Sequence, residues 1–67
     1  MEFYISVLEQ DCIPHYFIKS ENAIKYLINN VNKSDCKIDL FQENTCGELW
    51  DESGISVGYF YRVKTED

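Results

Sequence analysis

Hydrophobic and polar residues alternate with a period of two in several stretches of this chain and with a helical period in one. Between Glu2 and Gln10, Phe3, Ile5 and Val7 fall on one side and Tyr4, Ser6 and Leu8 on the other, which predicts a strand with two largely apolar faces. Gln10-Asp11-Cys12 turns the chain into a second strand from Ile13 to Lys19, with Pro14 near its start or at a sheet edge. So short a link makes the two strands a hairpin.

Ser20 reads as a helix N-cap, and Glu21 follows in the first turn, where its charge meets the positive end of the helix dipole. Ala23, Ile24, Leu27, Ile28 and Val31 form the apolar stripe of a helix of about eleven residues. Asn29, Asn30 and Asn32 end it, and Asn32-Lys33-Ser34-Asp35 is the loop that follows. A third strand spans Cys36 to Glu43, with Cys36, Ile38 and Leu40 opposite Lys37, Asp39 and Phe41. Asn44-Thr45-Cys46-Gly47 then turns, Glu48 to Trp50 adds a short strand, and Asp51-Glu52-Ser53-Gly54 turns again.

The last strand runs from Ile55 to Lys64. Its alternation sets Ile55, Val57, Tyr59, Tyr61 and Val63 against Ser56, Gly58, Phe60, Arg62 and Lys64. The first row is expected to pack beneath the helix, leaving Phe60 on an open face beside a depression at Gly58. Gly58 itself marks a bulge or a close approach. The expected fold is therefore α+β: a mainly antiparallel sheet of three to five strands with one helix on one face, in the order strand, strand, helix, strand, strand, strand. Residues 1–67 form one domain, with 65–67 a frayed tail.

Composition narrows the uses of this fold. The chain has 67 residues, 12 acidic against 6 basic, and a formal charge of -6, which counts against direct nucleic-acid binding and favours a partner with a basic surface. The beginning of the chain carries no basic and apolar leader, and no stretch approaches the length of a membrane span, so no membrane partner is expected and the cytoplasm is the expected compartment. Three cysteines fit a reducing compartment better than a disulfide framework. In size and dispersed charge the chain resembles many phage or mobile-element accessory proteins.

Each candidate chemistry has a plainer competitor. Cys12 and His15 with Cys36 and Cys46 are the elements of a zinc site, but Cys36 and Cys46 stand ten positions apart and lack the close pairing such sites use. Cys12 and His15 as nucleophile and base lack a placed orienting carboxylate. No phosphate loop or calcium loop is present. Tyr59-Phe60-Tyr61-Arg62 has the aromatics of an RNA-stacking strand, yet adjacent residues alternate faces and the charge balance opposes it.

No catalytic residue, metal or cofactor is therefore assigned. The reading is a small acidic, non-enzymatic protein-binding module, an inhibitor or accessory protein of a larger enzyme. Trp50 and Phe60 are its expected apolar contacts, and Glu48, Asp51 and Glu52 its steering charges. The alternatives are a structural homodimer subunit and, behind it, a zinc-binding or nucleic-acid-associated module.

Overall fold

The computed structural model describes residues 1–66. It has the element order expected, β1 (Glu2–Leu8), β2 (His15–Phe17), α1 (Ser20–Asn30), β3 (Lys37–Phe41), β4 (Cys46–Trp50) and β5 (Ser56–Lys64). The strands form one antiparallel sheet in the order β2-β1-β5-β4-β3, so the strand latest in the sequence lies at its centre. Helix α1 packs across one face, against β1, β2 and β5.

Register decides which residues meet the helix. Ser6 pairs with Phe60, Phe60 with Gly47, and Leu8 with Gly58, which in turn pairs with Leu49. These residues point towards α1, where Leu8, Ala23, Leu27, Leu49, Val57 and Phe60 make the core. Ser6 is fully buried there, and its Oγ donates a hydrogen bond to the Ala23 carbonyl at 2.9 Å, so the polar group is satisfied where the helix crosses β1.

Two glycines on the helix side of the sheet are closely covered, Gly58 in part by the helix and Gly47 by β3 and Phe60. A Cβ on Gly58 would lie 2.9 Å from Leu8 Cδ2 and 3.3 Å from Leu27 Cδ2. On Gly47 it would lie 2.5 Å from the Asp39 carbonyl oxygen and 2.8 Å from Phe60 Cε1. The depression expected at Gly58 is thus filled by two leucines.

The expected polarity of β5 is reversed. Phe60 is 1% exposed beneath the helix, whereas Tyr59 and Tyr61 are 38% and 41% exposed on the opposite face. The register slips between Leu49 and Trp50, where pairing jumps from Gly58 to Ser56 and leaves Val57 as the extra residue of a bulge. Val57 and Gly58 then both serve the helix side, which is why Val57 is core as expected while Tyr59 and Tyr61 are not. Burial chemistry favours this outcome, since phenylalanine has no polar tip to keep in water.

Smaller differences concern element ends. Ser20 is the first helical residue; Lys19 occupies the cap position and makes no side-chain cap bond. The buried stripe of α1 centres on Ala23 and Leu27, with Ile28 about half exposed and Val31 just beyond the last turn. The second strand has three residues rather than the span from Ile13 to Lys19. The turn after β3 comes earlier, because Gln42, Glu43 and Asn44 adopt φ of 50°, 58° and 67° and free Cys46 and Gly47 for β4. Thr65 is held by its N–H and its hydroxyl to the Met1 carbonyl at 3.0 and 3.2 Å; Asp67, part of the expected tail, lies outside the described residues.

Candidate functional site

The sheet face away from α1 is uncovered among the described residues. Pairing places Phe3, Ile5 and Val7 of β1 beside Val63, Tyr61 and Tyr59 of β5, with Tyr16 of β2 opposite Ile5. Next come Cys46, Glu48 and Trp50 of β4, then Phe41, Asp39 and Lys37 of β3. Tyr16 is 64% exposed and packs on Phe3 at a centroid distance of 5.8 Å, while Tyr59 and Tyr61 stack at 6.1 Å with planes 19° apart. A row of aromatic rings with their hydroxyls available to water suits a contact surface with apolar body and polar rim.

Charge on this face is confined to the β3–β4 side. Asp39 and Glu48 are direct cross-strand neighbours, a like-charge arrangement that favours an approaching cation. Glu48 Oε2 accepts a hydrogen bond from Ser56 Oγ at 3.1 Å, which fixes one oxygen. At the end of the face Trp50 joins Asp35, Lys37, Asp39, Asp51, Glu52 and Gly54 around an open depression of about 430 Å³. Four carboxylates and one ammonium therefore surround one indole. The indole Nε1 is buried without an acceptor among the described residues, so Trp50 offers this depression ring surface rather than a hydrogen bond.

Asp51 has a second task. Its Oδ1 accepts the N–H groups of Ser53 and Ile55 at 2.9 and 3.0 Å, closing the turn into β5 around Gly54, whose φ is +80°. Its Oδ2 lies 3.4 Å from Lys33 Nζ. The Ile55 N–H above all holds the carboxyl below the usual carboxylate range; desolvation opposes this, and the Ser53 N–H and Lys33 add to it.

Of the residues expected from the sequence to bind a partner, Trp50, Asp51 and Glu52 line one depression and Glu48 lies farther along the same face. Phe60 is on the other side of the sheet, packed in the core, and its expected place on the open face is corrected. Tyr16, Phe41, Asp35 and Asp39 have no part in the expected site, and Tyr59 and Tyr61, expected in the row beneath the helix, lie on this open face instead. A signal for their side of the sheet existed: Ser6 and Gly58 are small residues in the rows opposite Ile5 and Tyr59, and small residues mark where a helix comes close.

The cysteines and His15 do not assemble. Cys12, Cys36 and Cys46 are free thiols, and no group of three or more His, Cys, Asp or Glu side chains among the described residues is placed to hold a metal ion. His15 lies on the helix side of β2, stacked on Tyr26 at 4.3 Å. Burial, and then the Asp11 charge, push the Tyr26 phenol up, so it stays neutral in this stack. No described helix is long and apolar enough to cross a membrane. Comparison with known proteins finds no matching family model, no matching curated protein and no matching solved structure.

Proposed function

We propose that this protein is a non-enzymatic, cytoplasmic binding module that docks its uncovered sheet face on a protein with a basic surface, acting as an inhibitor or accessory subunit of a larger enzyme. The observation that carries this reading is the aromatic row Tyr16, Tyr61 and Tyr59 ending in the Trp50 depression, all on the face that α1 leaves open. The partner supplies an apolar patch to the tyrosines and a Lys or Arg side chain to the depression. There the cation meets an aromatic ring, with Asp35, Asp39 and Glu52 close by. The formal charge of -6 steers the encounter and disfavours acidic surfaces. Inhibition is steric: a cation of the enzyme's substrate-binding surface is occupied, and the sheet covers its surroundings.

The test is affinity capture with the wild type, Trp50→Ala, and a Tyr59→Ser, Tyr61→Ser double variant, each checked for native far-UV circular dichroism. A basic protein recovered stoichiometrically by the wild type, and lost by both folded variants, supports the reading. Recovery of one partner set by all three proteins removes this face from consideration.

A further inference from the structure

The two edges of the sheet differ. The β2 edge has three residues, follows Pro14 and is flanked by α1, all devices that blunt a strand against further pairing. The β3 edge has five residues and none of this protection: Lys37, Asp39, Leu40 and Phe41 are exposed, and α1 packs on the other side of the sheet's centre.

Backbone directions on β3 follow from bonds nearby. The Phe41 carbonyl accepts the Thr45 N–H inside the β3–β4 hairpin, so Lys37, Asp39 and Phe41 direct their peptide groups to β4. From the other side, Asp51 N–H donates to the Ile55 carbonyl, so alternation along β4 directs Cys46, Glu48 and Trp50 towards β3. The N–H and C=O of Ile38 and Leu40 therefore point outward, with no strand to receive them among the described residues.

We propose that β3 pairs with β3 of a second copy of this chain, in antiparallel fashion, about a two-fold axis at Ile38. Charge selects this register. Outward groups must face outward groups, which restricts the axis to a residue position. An axis at Asp39 sets two aspartates opposite each other, and one at Lys37 sets two lysines opposite each other. One at Leu40 pairs Asp39 with Phe41 and leaves Lys37 opposite Glu43, which lies beyond β3 in the left-handed turn, so no ion pair forms within the strand. The axis at Ile38 alone places each Lys37 opposite Asp39 of the second copy, twice by symmetry.

Neither Lys37 nor Asp39 takes part in the ion pairs formed among the described residues of one chain. On the other face the same register puts Ile38 on Ile38 and Leu40 opposite Cys36, the residue just before β3. The product is a continuous ten-stranded sheet whose seam carries backbone hydrogen bonds at Ile38 and Leu40 and two cross-strand ion pairs. This goes beyond the proposed partner binding because it rests on the outward backbone of β3; it shares Lys37 and Asp39 with the depression beside Trp50, and its test, on the pure protein alone, is independent of partner capture.

The experiment is sedimentation equilibrium of four samples of the pure protein: wild type, Lys37→Asp, Asp39→Lys, and the two variants mixed in equal amounts. Both substituted positions are exposed, and circular dichroism checks their folding. The wild type is expected at twice the 7.9 kDa chain mass, its association weakening as salt rises. Each variant alone brings like charges together and should lose about tenfold or more in dimer affinity. The mixture restores opposite charges at both pairs and should recover dimers of wild-type stability. A wild type that stays monomeric up to about 200 μM overturns the proposal. Dimerisation of either variant as tightly as wild type overturns it too, as does failure of the mixture to recover association. None of these outcomes bears on capture of a basic partner by Trp50 and the tyrosines.

Discussion

Replacing Gly47 by alanine probes the closest approach in the sheet. In an open strand this change stabilises, because alanine has fewer unfolded conformations to lose, by roughly 0.4–1 kcal/mol. Here the added Cβ would stand 2.5 Å from the Asp39 carbonyl oxygen and 2.8 Å from Phe60 Cε1. The first contact is with backbone, so relief requires β3 to part from β4 or Phe60 to leave its place in the core. Overpacking costs about 1–3 kcal/mol, and one weakened ladder hydrogen bond adds about 1 kcal/mol. The net loss should be about 2–3 kcal/mol after the entropic gain is subtracted. That is a large part of the roughly 3–10 kcal/mol expected for a domain of this size. With a urea slope of about 1 kcal/mol/M for a small protein, the midpoint should fall by about 2–3 M. Gly58→Ala is the internal control: two of its near neighbours are the tips of Leu8 and Leu27, which can shift, so its loss should be smaller. A Gly47→Ala midpoint equal to or above wild type would refute the close approach and the register that produces it.

Three further outcomes follow from the same packing. Phe60→Ala removes the largest fully buried side chain and should cost about 3–5 kcal/mol in a urea melt, whereas Tyr59→Ala next to it should cost about 1 kcal/mol or less. Equal losses would contradict the assignment of faces. Ser6→Ala deletes the hydrogen bond to the Ala23 carbonyl and should lower stability by about 1 kcal/mol, with an unchanged midpoint counting against that bond. For Asp51 the folded pKa lies below the unfolded value, so its charge contributes stability above about pH 4, and that contribution disappears as pH falls through the lower folded value. Stability measured against pH for wild type and Asp51→Asn should therefore differ most at neutral pH and converge in acid; a constant gap would show that the charge is not responsible.

Periodicity identified all six elements in their order, because alternation and the helical stripe are local properties of Phe3 to Leu8, Ala23 to Leu27 and Ile55 to Lys64. It set the wrong side of β5, apart from Val57, against the helix. Both of its rows contain aromatics, and the choice depends on contacts distant in sequence: Phe60 against Ser6 and Gly47, and Gly58 against Leu8 and Leu27. A bulge at Val57 then broke the very alternation on which the expectation relied. The Trp50 cluster was easier to find, since Trp50, Asp51 and Glu52 are consecutive. Asp35 and Asp39 joined it only when β3 was paired with β4. Turn geometry was partly hidden as well, because Gln42 and Glu43 carry no residue-type signal for the left-handed backbone they adopt.

The place of β5 between β1 and β4 bears on how the chain is made. Ribosomes deliver β1, β2, α1, β3 and β4 first, yet β1 and β4 share no ladder with one another and meet only through a strand that has not yet been synthesised. Until residues 56–64 emerge, the nascent polypeptide holds two separate hairpins and a helix whose Leu27 has neither Val57 nor Phe60 to pack on. The sheet thus closes only once residues 56–64 are available, and until then the growing chain depends on its charge, and on whatever chaperone attends it, to stay out of aggregates.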